Sequence, residues 1–162
     1  TGGATLAAAA AGAQVTHVDA SKGMVTWAKE NAVSSGLGDA PIRWLVDDCV
    51  KFVEREIRRG NTYDAIIMDP PSYGRGPKGE IWKIEDMIHP LIKLCTKILS
   101  KDALFFLVNS YTTGLAPAVL TYMISTELKP WNGHVDSQEI GLPVTDSGLV
   151  LPCGASGRWE RD

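Results

Sequence analysis

The sequence predicts a doubly wound α/β fold with a mostly parallel sheet and a C-terminal antiparallel hairpin. Short apolar, β-branched segments alternate with longer segments whose apolar residues recur at helical spacing. The last two apolar segments flank a turn sequence instead of a helix. Strands that alternate with helices pair in parallel, with right-handed crossovers and helices on both faces of the sheet. A final hairpin adds an antiparallel edge to such a sheet.

The first half of the chain is divided into three helix–strand pairs by its helix starts and stops. An Ala- and Leu-rich run favours a helix, Ser21 is a favoured N-cap, and Gly12 and Gly60 are typical helix stops. The predicted helices cover residues 4–11, 22–36 and 49–60. The predicted strands cover residues 14–20, 41–48 and 63–69.

The second half begins with a glycine-rich loop that contains Gly74, Gly76, Pro77 and Gly79. A one-faced apolar pattern then predicts a helix over 82–99, in which Pro90 would introduce a kink or a break. The predicted elements that follow are a strand over 103–111, a helix over 118–128, and two strands within 133–152 around the turn 145–148.

Composition describes one globular domain over 1–162. The chain has 162 residues, of which 44% are hydrophobic and 22% charged, and its net charge of −3 disfavours nucleic-acid binding by bulk charge alone. Cys49, Cys95 and Cys153 are widely spaced and form no CxxC pair, which favours a reducing compartment. With no signal peptide or membrane-spanning apolar run in the sequence, we expect a cytoplasmic protein without a membrane segment.

The first residues run directly into a glycine turn and a helix, "TGGATLAAAA". A domain seldom begins inside a turn. We therefore expect a fragment of a longer protein, with the first strand of the sheet and a further domain preceding Thr1.

Polar residues gather where the predicted strands end. They are Asp19, Asp47, Asp48, Asp69 and Asn109. Ligands of open α/β sheets bind outside the carboxyl ends of the strands. We therefore expect these side chains to share one edge of the sheet.

The N-terminal motifs are compatible with nucleoside binding. Gly2 and Gly3 precede a helix and would allow close approach of a ligand, and the Asp19 carboxylate could accept hydrogen bonds from ribose hydroxyls. The GxGxxG spacing is absent, so an ordinary helix start and a surface acid remain the alternative. In "VDDCVKF", one acid could accept from an adenine amino group while the other caps the next helix; we favour Asp48 for adenine.

The segment "YDAIIMDPPSYG" ends a predicted strand on an acid, two prolines and an aromatic residue. Proline has no N–H, so the backbone is stiff and presents carbonyl acceptors. Asp69 and the Pro70 carbonyl could accept from the amino group of a planar base, and Tyr73 could stack on it. Such a pocket suits a nucleobase drawn out of its stack. A proline-rich loop with a surface tyrosine is the alternative.

In order and spacing, "TGGATLA", "THVDAS", "VDDCVKF" and "DPPSYG" resemble the class I S-adenosylmethionine-dependent methyltransferases. The likeness covers about residues 1–129. It is strongest to bacterial 23S ribosomal RNA methyltransferases with a D-P-P motif, including the cytosine-C5 enzymes. It implies a Rossmann-like sheet, S-adenosyl-L-methionine as cofactor and an RNA substrate. Independently of the resemblance, no metal-ligand cluster with sensible spacing is found in the sequence, so we expect no metal.

The resemblance also implies roles for individual residues. Gly2 and Gly3 would lie by the methionine moiety, Asp19 at the ribose, Asp48 at the adenine, and Asp69 at the methyl donor and the target. The remaining predicted cofactor-site residues are Thr1, Ala20, Ser21, Asp47 and Cys49. The predicted catalytic residues are Asp69, Pro70 and Tyr73.

The chain departs from the cytosine-C5 enzymes at their nucleophile. Those enzymes attack carbon 6 with a cysteine thiolate, because carbon 5 of a pyrimidine is a poor nucleophile. The matching stretch here is "VNSYTTG", with Asn109 and Ser110 and no thiol. Cys153, in "LPCGASG", is the remaining candidate, with a plain loop cysteine as the alternative. Amino-nitrogen and oxygen methylation stay open.

Other functions and sites are also open. A small molecule or a protein could be the substrate, and an NAD-type oxidoreductase or a non-catalytic nucleotide-binding module could use a similar sheet. Arg75, Lys78 and Lys83 could form a loop that touches phosphates, or a solvated loop. The oligomeric state and the target nucleotide are not predicted by the sequence.

Overall fold

The computed structural model describes residues 1–76, 79–112 and 114–162. Its elements, in chain order, are α1 (Gly3–Ala10), β1 (Val15–Asp19), α2 (Lys22–Ser34), β2 (Ile42–Val46), α3 (Cys49–Arg59), β3 (Ala65–Met68), β4 (Tyr73–Arg75), β5 (Ile81–Lys83), α4 (Ile84–Thr96), β6 (Phe105–Ser110), α5 (Pro117–Glu127), β7 (His134–Pro143) and β8 (Val150–Glu160). The predicted α/β class is confirmed. The chain forms two compact units, Thr1–Arg59 and Gly60–Asp162.

The first unit is built on a parallel pair of strands. β1 and β2 run in register from Val15 opposite Ile42 to Asp19 opposite Val46, as the alternation of strands and helices predicts. Buried residues of α2 (Val25, Ala28 and Ala32) and of α3 (Phe52 and Val53) supply the apolar core. The carboxyl ends of both strands therefore open at the same edge.

The second unit contains a four-stranded mixed sheet in the order β3-β6-β8-β7. β3 and β6 are parallel, whereas β8 is antiparallel to both β6 and β7. The predicted C-terminal antiparallel hairpin is thus confirmed, with its turn at 145–148. Its second strand continues to Glu160, beyond the predicted end at residue 152, because this part of the chain pairs with β6. The glycines of "CGASG" predict a loop there, but they lie within the strand.

Apolar side chains of α4, α5 and the sheet form the core of this unit. Phe106 and Val108 alternate with less buried residues along β6, and Trp159 of β8 is almost fully buried. α4 contributes the one-faced pattern expected from the sequence, including the buried Cys95. Pro90 lies within α4, and the helix continues past it to Thr96.

A short hairpin replaces much of the predicted glycine loop. β4 and β5 pair antiparallel, with Tyr73 opposite Lys83 and Arg75 opposite Ile81. Consequently α4 begins at Ile84 instead of residue 82. Glycines predict a loop here, whereas the strand-forming Tyr73, Ile81 and Trp82 on either side of them form the hairpin. Pro77 and Lys78, which belong to this predicted loop, lie outside the described residues.

In the part of the chain that the structure describes, no helix is long and apolar enough to cross a membrane. The same residues contain no group of three or more His, Cys, Asp or Glu side chains placed to hold a metal ion.

Candidate functional site

The acids of the first unit meet at the carboxyl ends of β1 and β2. Asp19 ends β1, and its carbonyl oxygen accepts a hydrogen bond from the Asp47 backbone N–H at 3.0 Å. Oδ1 of Asp19 accepts from the Ser21 N–H at 2.7 Å. This contact fixes the carboxylate and leaves its second oxygen for a ligand. The predicted convergence of Asp19, Asp47 and Asp48 is thus observed within this unit.

The two adjacent acids after β2 have different partners. Asp47 forms an ion pair with Arg55 through Oδ2 and accepts from the Asp48 N–H through Oδ1. Asp48 is exposed, and its Oδ1 accepts from the Lys51 N–H at 2.9 Å, which is an N-cap interaction for α3. Each acid therefore has a structural task, and Asp48, which we favour for adenine, is also the helix cap.

Gly2 is required by the local geometry at the start of α1. Its φ is +82°, and a Cβ built there would lie 2.8 Å from Cβ of Ala28 in α2. A side chain at Gly3 would instead meet no atom within 4 Å. The backbone at Gly3 is therefore open to a ligand, whereas Gly2 lets two helices approach each other.

The remaining residues of the predicted cofactor site also lie in this unit, where Thr1, Ser21 and Cys49 each have a contact of their own. Thr1 is held through its carbonyl, which accepts from the Asn31 side-chain amide at 2.9 Å. Ala20 and Ser21 are exposed, and Ser21 caps α2 by accepting from the Met24 N–H at 3.4 Å. Cys49 is exposed at the start of α3, and its thiol donates to the Val18 carbonyl at 3.9 Å.

The acid of the second unit lies at the end of a different parallel pair. Met68 ends β3 opposite Val108 of β6, so Asp69 follows β3 at the carboxyl edge, at the level of Asn109, which is still paired with Ser156 of β8. Asp69 is exposed and Pro70 is half-buried. A carboxylate and a proline carbonyl are therefore presented together at the carboxyl end of β3.

The residues after Asp69 are held in place by three contacts that the sequence analysis missed. The Trp82 indole N–H donates to the Pro71 carbonyl at 2.6 Å. The Ser72 and Thr112 hydroxyls are 2.7 Å apart, and the Ser72 carbonyl accepts from the Ile84 N–H at 3.1 Å. The D-P-P segment (Asp69, Pro70 and Pro71) is thus attached to β5 through Pro71. The adjacent Ser72 links it to the start of α4 and to the segment after β6. A tryptophan 11 residues downstream gave no local sequence signal for this contact.

Tyr73 is placed by its neighbour two residues along β4. The Arg75 Nε donates to the Tyr73 hydroxyl at 2.9 Å, and the Tyr73 side chain remains half exposed. The ring is thus held in one orientation while part of its surface stays open to solvent. Such a ring is suited to stacking.

Cys153, the candidate thiol, lies in β8, which pairs with β6 on the side opposite to β3. Ala155 of β8 lies opposite Ser110, so Cys153 is two residues beyond the end of β6. Its thiol donates to the Leu151 carbonyl at 3.4 Å. Ser110 is fully buried and its Oγ accepts from the Thr112 N–H at 3.2 Å.

The three histidines have ordinary partners. His17 Nδ1 is 2.8 Å from the Thr5 hydroxyl, and its ring packs against Trp44. His89 pairs with Glu127 at 2.8 Å, and His134 pairs with Glu160 at 3.1 Å. The last two appear isolated in the sequence because their partners lie far along the chain.

Known proteins show the same fold. No protein-family model matches the chain. The solved S-adenosylmethionine-dependent methyltransferase from Agrobacterium tumefaciens is 43% identical, with a TM-score of 0.91, and the match covers 99% of this chain and 53% of that one. The predicted resemblance to the class I methyltransferases is confirmed. The structure of SMU.776 complexed with SAH, at 22% identity and a TM-score of 0.77 over 96% of this chain and 41% of that one, has the same fold.

Curated relatives of this methyltransferase-like chain agree with the structural match. Ribosomal RNA large subunit methyltransferase K/L of Shewanella frigidimarina is 33% identical over 100 residues, which are 58% of this chain and 14% of the relative. Ribosomal RNA large subunit methyltransferase K of Neisseria meningitidis is 30% identical over 112 residues, which are 68% of this chain and 32% of the relative. The chain thus spans a third or less of the length of these relatives and about half of the Agrobacterium protein.

Proposed function

We propose that this chain is the catalytic domain of an S-adenosylmethionine-dependent methyltransferase that modifies a base of ribosomal RNA in the cytoplasm. The observation that carries the proposal is the D-P-P segment, which is held rigidly at the carboxyl end of a parallel strand. It occurs in a chain that is 43% identical, over 99% of its length, to an S-adenosylmethionine-dependent methyltransferase. The curated relatives named as ribosomal RNA methyltransferases support RNA as the substrate.

The first unit is the proposed binding site for S-adenosylmethionine, which supplies an electrophilic methyl group on sulfur. The open backbone at Gly3 fits the methionine moiety, as do the N–H groups at the start of α1. The second oxygen of Asp19 can accept from the ribose hydroxyls. The second oxygen of Asp48 can accept from the adenine amino group while the first continues to cap α3.

The remaining cofactor-site residues have supporting roles in the proposal. Asp47 holds Arg55 and the Asp48 backbone, so it positions Asp48 instead of contacting the nucleoside itself. Ala20, Ser21 and Cys49 follow the ends of β1 and β2 and would line the site. Thr1, whose carbonyl accepts from Asn31 of α2, is proposed to line it from the start of α1. These assignments fit the donors and acceptors that each residue presents.

In the second unit, Asp69 and Pro70 are the proposed acceptors for the target base. An exocyclic amino group would donate one hydrogen to the Asp69 carboxylate and one to the Pro70 carbonyl, while the exposed face of Tyr73 stacks on the ring. Asp69 would accept the proton that the nitrogen releases when the methyl group is transferred. The main contribution of the chain is orientation, which can supply on the order of 7–11 kcal/mol in favourable cases.

An amino nitrogen suits these side chains better than a pyrimidine carbon. The end of β6 carries Asn109 and Ser110, and the Ser110 hydroxyl is buried in a backbone contact. Cys153 lies beyond β6 from β3 and donates to a backbone carbonyl of its own strand. Among the described residues, β6 therefore ends on Asn109 and Ser110 instead of the cysteine whose thiolate carbon-5 methylation needs.

A methyl-transfer assay with a panel of acceptors tests the proposal. The intact protein would be incubated with S-adenosylmethionine carrying a labelled methyl group, and with ribosomal RNA, transfer RNA, a mixture of small amines, or a protein extract. Label in ribosomal RNA, followed by nucleoside analysis that finds an N-methylated base, is the expected result. Label only in small molecules or protein would replace the substrate assignment, and no cofactor binding at millimolar concentration would overturn the function.

A further inference from the structure

The β4–β5 hairpin has one face that is open to solvent directly after the D-P-P segment. Side chains alternate between the two faces of paired strands. The register therefore places four residues together, which we call the hairpin face: Tyr73, Arg75, Ile81 and Lys83. All four are exposed, with Tyr73 at 50% and Ile81 at 54% of full exposure. Gly74 and Trp82 lie on the other face.

The hairpin face is positively charged although the whole chain is acidic. Arg75 and Lys83 lie on it. The nearest acid of the hairpin is Glu80. By the alternation of side chains it lies on the same face as Trp82, and its carboxylate lies next to Gly76. Glu85 and Asp86 belong to the first turn of α4. The two cations therefore share their face with an aromatic and an aliphatic side chain and with no described carboxylate of the hairpin.

The side chains of Tyr73 and Arg75 are held together by a hydrogen bond. The 2.9 Å bond uses one of the five N–H groups of the guanidinium, so the terminal nitrogens of Arg75 can still contact an anion. A fixed aromatic ring beside cations is an arrangement that proteins use for unpaired nucleic acid, because bases stack on the ring and phosphates bind the positive charges.

The hairpin is also attached to the D-P-P segment. Trp82 in β5 donates to the Pro71 carbonyl, and Tyr73 follows Pro71 by two residues. A ligand bound across the hairpin face would therefore be held in a fixed relation to Asp69 and Pro70. This couples RNA binding to the placement of the target base.

We propose that the hairpin face binds the unpaired RNA strand next to the target base. Arg75 and Lys83 contact phosphates of the flanking nucleotides, and Tyr73 stacks on the target base itself, where the strand reaches the D-P-P segment. The inference rests on the proposed function, since it takes RNA as the substrate. Unpaired RNA is favoured over duplex because a base must leave its stack to reach the D-P-P acceptors, and stacking on Tyr73 requires an exposed base face.

A binding experiment with charge-neutral variants tests the phosphate contacts. The intact protein is titrated into a fluorescently labelled, unstructured 12-nucleotide RNA, and its Kd is measured by polarisation between low and moderate salt. The variant is Arg75→Gln/Lys83→Gln, and the matched control is Lys93→Gln/Lys101→Gln, which removes two exposed cations elsewhere in the same unit. At low salt, we expect the Arg75→Gln/Lys83→Gln variant to lose at least about 10-fold in affinity. The slope of log K against log salt should also be less steep by about 1.4, the value for two lost phosphate contacts, and the control should show neither change.

The stacking contact is tested in the same assay with aromatic variants. Tyr73→Leu is compared with Tyr122→Leu, which removes a more exposed tyrosine, at 72%, from α5. Loss of one base stack predicts a roughly 5- to 100-fold weaker Kd for Tyr73→Leu, with Tyr122→Leu unchanged. Equal Kd values for wild type and both hairpin variants would overturn the inference, as would equally tight, equally variant-sensitive binding to duplex RNA.

The failure of this inference can be distinguished from that of the proposed function. The same preparations are assayed for S-adenosylmethionine binding and for methyl transfer. If the wild type methylates RNA and Arg75→Gln/Lys83→Gln has an unchanged KM for RNA, the hairpin inference is wrong and the function stands. If the wild type neither binds the cofactor nor transfers methyl groups, yet the hairpin variants lose RNA affinity, the function fails and the hairpin inference is supported.

Discussion

At the residue scale, the two glycines at the start of α1 have opposite reasons for being glycine. Gly2 has a left-handed backbone and almost touches Ala28, so its lack of a side chain is a packing requirement. Gly3 is the first residue of a helix, with empty space where a side chain would be. The two glycines therefore differ in what a side chain would meet, and the roles of both at the methionine moiety stay a prediction.

We predict that Gly2→Ala lowers the free energy of unfolding by about 1–3 kcal/mol, because a left-handed backbone costs a non-glycine residue that much, and the contact with Ala28 adds to it. Gly3→Ala is the matched control. It is expected to leave stability close to that of the wild type, because a Cβ at Gly3 meets no atom within 4 Å and Gly3 is the first residue of the helix. Thermal and denaturant unfolding of both variants checks this. Equal destabilisation by the two substitutions would contradict it.

Asp48 has two assigned tasks, and substitutions can separate them. Asp48→Ser keeps an oxygen that caps α3 but removes the second oxygen proposed for adenine. We expect stability close to wild type and a Kd for S-adenosylmethionine weaker by roughly 10- to 100-fold, the range for a lost hydrogen bond to a charged group. Calorimetric titration measures the Kd.

Asp48→Ala is the companion variant, because it removes the cap as well and should cost about 1 kcal/mol of stability. If Asp48→Ser binds the cofactor as tightly as wild type, Asp48 is a helix cap only. The adenine would then need another acceptor.

At the scale of elements, the β4–β5 hairpin connects the strand end to α4 and fixes the D-P-P segment. Its anchor is the bond from the Trp82 indole to the Pro71 carbonyl. Prolines stiffen a backbone but cannot donate to it, so the segment depends on donors from other elements. The hairpin is therefore expected to affect catalysis through the position of Asp69 and Pro70.

We predict that Trp82→Phe lowers kcat by about 10-fold, because loss of the indole N–H lets the D-P-P segment move away from its productive position. The Kd for S-adenosylmethionine should not change. Trp131→Phe is the matched control, since it removes an indole bond of 2.8 Å to the Ser100 carbonyl in the same unit. Steady-state kinetics on both variants decide the matter: equal kcat values for the two would show that the Trp82 contact is only structural.

The elements also show what the sequence can and cannot predict. Long periodic segments such as α4, and strands bounded by clear turn residues, were predicted within a few residues. β4 and β5 were missed because three-residue strands carry too little periodicity to outweigh a glycine-rich stretch. Likewise, β8 was predicted too short, because its glycines pack against β6 and α5 instead of ending the strand.

At the scale of the whole molecule, the local motifs predicted the class of fold and the strand-end acids. Asp19, Asp47 and Asp48 meet within the first unit, and Asp69 meets Asn109 within the second. That all of them serve one reaction stays a prediction. Contacts that depend on distant partners, such as Trp82 with Pro71 and Ser72 with Thr112, could not be predicted, since nothing in the local pattern of either residue specifies the other.

The central claim is that Asp69 acts on a target base during methyl transfer from S-adenosylmethionine. The most direct test is the rate of labelled methyl transfer to ribosomal RNA by wild type, Asp69→Asn and the control Asp146→Asn, which changes an exposed acid in the turn 145–148. At saturating cofactor we predict a loss in kcat of at least about 100-fold for Asp69→Asn, the lower range for a lost proton acceptor, and none for the control. Transfer by Asp69→Asn at the wild-type rate, or no transfer by the wild type, would contradict the account.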